Sequence, residues 1–240
     1  MSQPKMTWRK SWRLTRSDNA RLHAAPQRNP AMSLQFDAKR RCTLVAGCSG
    51  SGKTTFALRY IVADKKLACR FIFDPEGEYA ARLRLPSVET PEEIPLAVAD
   101  GFVIFDPSTM FPGENEKAFD WFCSAVFETA SALPGRKVFL IDEAWKYCPP
   151  NKVAVPLRTC IQTGRKRGLE MFFVSQQPNR LNEVITNEIT ELVLFRLQGV
   201  NALSRAESLG AHPSAVASLT PGQYIARNCD TGRELRGKVF

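Results

Sequence analysis

The stretch "GCSGSGKTT", residues 47–55, decides the fold. From Gly47 to Thr54 it fits the spacing G-x-x-x-x-G-K-[ST] of a phosphate-binding loop. An apolar run, "CTLVAG", leads into it, and "GKTTFALRYIVAD", with helical spacing, leads out. The glycine-rich loop therefore joins a strand to a helix, the context that gives this spacing its meaning. Glycines let the backbone bend until its N–H groups face a phosphate, and the helix N-terminus adds the positive end of its dipole. Gly47, Cys48, Ser49, Gly50, Ser51, Gly52, Lys53, Thr54 and Thr55 are the expected nucleotide cradle. Within it Lys53 is expected to reach the β- and γ-phosphates of ATP, and Thr54 to ligate Mg²⁺.

Such a loop needs a second partner for the metal. "VFLIDEAW" supplies one, with four apolar residues followed by Asp142 at the expected strand end. Its carboxylate is placed to hold the ion directly or through water. Glu143 follows, and a second carboxylate there can polarise a water for in-line attack on the γ-phosphate. A solvated loop acid is the plainer reading of Glu143. Small-molecule kinases also carry phosphate loops but have no water to activate, so the adjacent acid favours hydrolysis over transfer.

Outward from these motifs the chain alternates. "ACRFIFDPEGEY", "GFVIFDP", "RKVFLIDEAW" and "LEMFFVSQQ" are short apolar runs, each ending at a polar residue. "EKAFDWFCSAVFETASAL" is a long amphipathic helix with Phe119, Phe122, Cys123 and Val126 along one face. Continuous apolar strands separated by helices predict a parallel sheet covered on both faces. Later, "TELVLFRL" reads as a further strand, and "QYIARN" with "ELRGKVF" as a hairpin turning at "CDTG".

Composition sets wider bounds. The 240 residues are 44% hydrophobic and 24% charged, ordinary values for a globular chain. No apolar run approaches the ~18 residues a membrane helix needs, and the N-terminus has no apolar segment of the signal-peptide kind. The expected location is cytoplasmic. The seven cysteines are scattered, with no C-x-x-C pair, and are expected as reduced thiols. Of the net charge of +9, +8 lies within residues 1–41. We expect a basic arm over 1–34, with Trp8 and Trp12, ahead of one motor domain over 35–240. Such an arm suits polyanions, either nucleic acid or an anionic membrane surface. Met32 offers an alternative start that would make the arm an extension, and a plain solvated tail is its bland reading.

The motifs in their order resemble the FtsK/HerA superfamily of ATPases that pump DNA through hexameric rings. The resemblance spans about 40–235 and rests on five segments: "GCSGSGKTT", "FIFDPEGEYA", "FLIDEAW", "TGRKRGLEMFFVSQQP" and "LTPGQYIA". It implies a RecA-like α/β P-loop NTPase fold, a mainly parallel sheet with core order 5-1-4-3-2. It implies ATP and Mg²⁺ as ligands and a site completed between subunits of a homo-oligomeric ring, a hexamer. Gln176 is then the polar sensor of the γ-phosphate and the attacking water. The basic turn implies a trans-acting arginine, Arg165 first and Arg167 second. A solvated loop or a contact to DNA phosphates is the plainer reading of that turn, and an amide-capped strand end that of Gln176.

The compact layout is most similar to the genome-packaging ATPases of tailless icosahedral viruses with an internal membrane. That similarity implies a motor moving double-stranded DNA without regard to sequence, in the host cytoplasm or associated with the virion. The arm is then a candidate contact for a capsid portal or the virion membrane. A cellular HerA-like or conjugative translocase stays open, as does a nucleotide-gated phage assembly factor that threads no DNA.

Overall fold

Alternation along the strands sends side chains to both faces of one sheet, and both faces are covered. In a computed structural model of the protein, residues 41–240 are described; the expected basic arm over 1–34 lies outside them. The strands are β1 (Cys42–Ala46), β2 (Leu67–Phe73), β3 (Phe102–Phe105), β4 (Arg136–Ile141), β5 (Leu169–Ser175), β6 (Glu191–Leu194), β7 (Gln223–Asn228) and β8 (Glu234–Lys238). They form an eight-stranded sheet ordered β3-β2-β4-β5-β1-β6-β7-β8.

The first six strands are parallel where they pair, whereas β7 runs antiparallel to β6 and β8 to β7. Counting β1, β2, β4, β5 and β6 as the five core strands gives the RecA-like order 5-1-4-3-2. The "GFVIFDP" strand is additional and extends the edge beyond β2. The C-terminal hairpin is present. Its loop carries Gly232 at φ 72, and Asn228 Oδ1 accepts from the Thr231 N–H at 2.8 Å.

On one face, Phe71, Phe73, Phe139, Met171 and Phe173 pack under three helices, α3 (Ile94–Asp100), α4 (Asn115–Ala132) and α5 (Val155–Thr163). The helical face read from the sequence, Phe119, Phe122, Cys123 and Val126, is the buried face of α4. Phe119 meets Phe73 edge-on at 5.2 Å, and Phe122 stacks on Phe105 at 4.9 Å. Each ring removed from water contributes ~1.5–3 kcal/mol. On the other face, Phe56, Ala57, Tyr60 and Ile61 of α1 (Lys53–Ala63) and Tyr79 of α2 (Glu78–Leu83) cover Val45, Val138, Leu140, Phe172 and Val174. No helix among the described residues is long and apolar enough to cross a membrane. All seven cysteines are free thiols.

The register places the functional ends. Ala46 pairs with Ser175 on β5 and with Leu194 on β6, and Ile141 pairs with both Phe73 and Phe173. Gly47, Asp74, Asp142 and Gln176 therefore leave the sheet at one edge. At the other edge the fully buried Lys137 donates through Nζ to the carbonyls of Leu133 (2.8 Å), Gly135 (2.9 Å) and Arg167 (2.5 Å). One ammonium thus ties the end of α4, the following turn and the basic turn together. Gly168 completes the knot at φ 71, where a Cβ would come within 2.5 Å of the Gly135 carbonyl oxygen.

Lys137→Ala takes the buried ammonium away from three carbonyls and should cost ~3 kcal/mol in urea-unfolding experiments, the upper scale for breaking a buried charged hydrogen-bond cluster. A loss under ~0.5 kcal/mol, the size of a neutral surface change, would show that the ammonium does not hold the turn.

Candidate functional site

Helix α1 begins without a cap. Its N-terminal neighbour, Gly52, sits at φ 109, no side chain accepts from the first amides, and the first turn holds no acid. Those unpaired N–H groups, with the dipole behind them, open into a cavity of about 480 Å³. Ser49, Gly50, Gly52, Lys53, Thr54 and Thr55 line one wall. The loop itself is strung between two strands beside β1, with the Gly47 N–H donating to the Ser175 carbonyl (3.3 Å) and the Cys48 N–H to that of Arg196 (2.9 Å).

Lys53 is nearly buried, and its Nζ donates to the Cys48 carbonyl at 3.0 Å. Burial lowers its pKa, while the nearby Glu143 and Asp142 carboxylates push it back up. The ammonium is held by the loop's own backbone in a water-poor spot where charge interactions are strong.

Asp142 faces it from the end of β4. Its Oδ2 accepts from the Tyr79 hydroxyl at 2.6 Å and its Oδ1 from the Glu143 N–H at 2.7 Å. Burial holds its carboxyl above the usual range, against the pull of those two hydrogen bonds. Glu143 has left-handed backbone angles, φ 44 and ψ 45, one of two non-glycine residues at positive φ among the described residues. This conformation costs ~1–3 kcal/mol and persists only where the surroundings enforce it. Its Oε2 accepts from Trp145 Nε1 at 2.6 Å and from the Gln176 N–H at 3.4 Å.

The structure thus gathers Lys53, Thr54, Asp142, Glu143 and Gln176 around one cavity. It keeps Arg165 and Arg167 away from it. They lie exposed on the turn Gly164–Arg167 that precedes β5, and the seven residues of β5 put ~20 Å between that turn and Gln176. Asp74, at the end of β2, lines the cavity, but its Oδ2 accepts from the Ala80 N–H at 2.9 Å and so caps the start of α2.

The chemistry of the donor set fits a magnesium ion. Mg²⁺ keeps several waters and takes one or two protein oxygens beside those of a phosphate. Thr54 and Asp142, both lining the cavity, offer a hydroxyl and a half-buried carboxylate. Among the described residues no group of three or more His, Cys, Asp or Glu forms an all-protein metal cage.

Sequence reasoning missed three partners. Tyr79 closes "GEY", and its hydroxyl gives that signature a physical meaning as the clamp on Asp142. Trp145, two residues beyond Glu143, carries the indole that holds the acid. Phe240 lines the cavity with no motif to announce it.

Comparison with solved structures finds the same fold. The genome packaging NTPase B204 from Sulfolobus turreted icosahedral virus 2, in complex with AMPPCP, is 16% identical; the match covers 84% of this chain and 98% of that one with a TM-score of 0.61. The bacterial conjugative coupling protein TrwBdeltaN70 is 12% identical over 84% of this chain and 85% of its own, TM-score 0.61. The cytoplasmic domain of the Thermomonospora curvata type VII secretion ATPase EccC is 14% identical over 82% of this chain and 25% of that one, TM-score 0.53. The fold is that of these packaging and coupling ATPases. It agrees with the FtsK/HerA-like resemblance read from the motifs. No protein-family model matches the chain, and no curated protein does.

The raised pKa of Asp142 has a signed consequence. Between the ordinary carboxylate value and the raised one, the folded chain binds a proton that the unfolded chain has lost, so stability falls as pH rises through that window. Asp142→Asn should therefore raise the Tm at pH 7.5 without metal, and the gain should fade as pH drops toward the ordinary value, ~3.9. A Tm difference independent of pH would remove burial of this charge as its cause.

Proposed function

We propose that this protein is a Mg²⁺-dependent ATPase that moves double-stranded DNA, acting as a viral genome-packaging motor. The observation that carries the reading is the meeting, at one sheet edge, of the uncapped α1 N-terminus, Lys53 and the Asp142–Glu143 pair. Residues 35–240 are the motor domain, and residues 1–34 a basic arm for DNA, the virion membrane or a capsid portal.

The amides of 49–55 and Lys53 hold the phosphate chain. Lys53 exchanges the Cys48 carbonyl for β- and γ-oxygens. Thr54 and Asp142 would hold the magnesium ion, which when bound neutralises charge on those oxygens. Glu143 orients a water in line with the γ-phosphate and takes its proton. The Gln176 side chain, at the end of β5, senses the γ-phosphate. The arginines of the basic turn reach a nucleotide only in another copy, because ~20 Å separates them from their own. Arg165, with Arg167 behind it, would neutralise charge on a neighbour's γ-phosphate, which supports a ring. DNA contacts in such a motor go to the backbone and weaken with salt.

The likeness to the coupling protein, at a TM-score of 0.61, supports a conjugative translocase as the second reading. Both readings expect DNA to accelerate ATP turnover; an assembly factor that threads no DNA does not.

Double-stranded DNA of unrelated sequences should stimulate ATP turnover several-fold and equally, less so as salt rises. Turnover indifferent to DNA would contradict translocation. Glu143→Gln should keep ATP affinity within about threefold and lower kcat at least a hundredfold, the scale of losing a general base. Unchanged turnover would remove Glu143 from that role. Arg165→Ala subunits mixed into wild type should depress activity beyond their share. Activity linear in the wild-type fraction would contradict a finger acting in trans.

A further inference from the structure

The cavity has two flanks, and the sheet order distinguishes them. From β1, one direction leads through β5 and β4 to Gln176, Glu143 and Asp142; the other leads through β6 and β7 to β8. Phosphates laid along the loop with the γ-end at Glu143 leave the nucleoside toward β6–β8. Phe240, just beyond β8, lines the cavity on that flank.

We propose that Phe240 is the platform on which the nucleobase stacks. The assignment rests on the ATP-binding reading of the same cavity. Five aromatic residues line it: Phe73, Tyr79, Trp145, Tyr147 and Phe240. Phe73 and Tyr79 are 2% exposed and have no free face. Trp145 is bound to Glu143 at the opposite flank, and Tyr147 stacks on Phe119 at 4.6 Å. Phe240 is 61% exposed. The other large exposed apolar side chains among the described residues, Leu96, Val155 and Val200, stand away from the cavity.

The ring is seated even though one side of it is open. A Cβ on Gly52 would meet its Cε1 at 3.2 Å, and one on Gly222 would meet its Cε2 at 2.8 Å, so two missing side chains make the seat. The preceding Val239 is buried; its N–H donates to the Gly222 carbonyl at 2.9 Å, and its own carbonyl accepts from Arg59 of α1. Gly222, in the "LTPGQYIA" segment, donates its N–H to the Ser51 carbonyl at 3.0 Å. The platform is thereby tied to the phosphate loop itself, an aromatic face pre-positioned beside the phosphates. Every base has a π-face, so such a surface takes the base by stacking.

The test is isothermal titration of full-length wild type, Phe240→Ala and Phe240→Trp with MgATP and with inorganic tripolyphosphate, which has no base. Phe240→Ala should weaken ATP about tenfold, the loss expected for one base–aromatic stack. Phe240→Trp should bind ATP at least as well as wild type, and tripolyphosphate should change less than twofold in either variant. An unchanged ATP affinity in Phe240→Ala, or an equal loss for ATP and tripolyphosphate, would overturn the platform. Wild type that binds tripolyphosphate but shows no added affinity for ATP would overturn it too. Wild type that binds neither would overturn the nucleotide reading of the cavity, and the platform with it.

Discussion

The register of three parallel strands is the constraint from which the rest of the structure follows. β5 pairs with β1 on one side and β4 on the other, so the loop after β1, the acids after β4 and the amide after β5 emerge side by side. A slip of one residue would turn every alternating side chain to the opposite face. The two aromatic layers forbid that slip, because Phe172 belongs to one face and Phe173 to the other. Packing on both faces is thus what fixes the separation of Lys53 from Asp142 and Glu143.

The site built on that register is under electrostatic and conformational tension. Burial raises the carboxyl pKa of both Asp142 and Asp74 and lowers that of Lys53, so charged forms are held where water would favour them more. Glu143 has a left-handed backbone conformation, and its carboxylate accepts a short bond from Trp145. These features cost stability in the isolated chain. If the site binds as proposed, phosphate oxygens and a cation would offset them, a trade of fold stability for a site ready to bind. The same economy appears at the opposite edge, where the Lys137 ammonium holds the basic turn in place through backbone carbonyls alone and leaves the arginine side chains exposed.

Much of this was legible in the sequence because it depends on local pattern. The loop spacing, the apolar run before Asp142, the buried face of α4 and the C-terminal hairpin are all encoded within a few residues of themselves. What could not be read depends on long-range pairing. The place of β3 beyond β2 is set by tertiary contact, since "GFVIFDP" has the same apolar character as the core strands. Lys137 and Glu191 are polar residues inside strands, and only the fold reveals the three carbonyls around one and the Thr43 and Tyr60 hydroxyls that donate to the other. Phe240 meets the loop 188 residues away, a contact that no spacing rule reaches. The signature "GEY" was visible as a pattern, but its tyrosine gained a role only when its hydroxyl was found on Asp142.

The proposed triphosphate site is one cavity between the uncapped α1 N-terminus and the β4 acids. A structure determined with Mg²⁺ and a non-hydrolysable ATP analogue tests it most directly. Phosphates are expected on the amides of 49–55, Lys53 Nζ moved from the Cys48 carbonyl to the β- and γ-oxygens, and the metal held by Thr54 and Asp142. A water is expected on the γ-phosphate within reach of Glu143. Nucleotide density elsewhere, or Lys53 still bound to Cys48 with the nucleotide present, would contradict it.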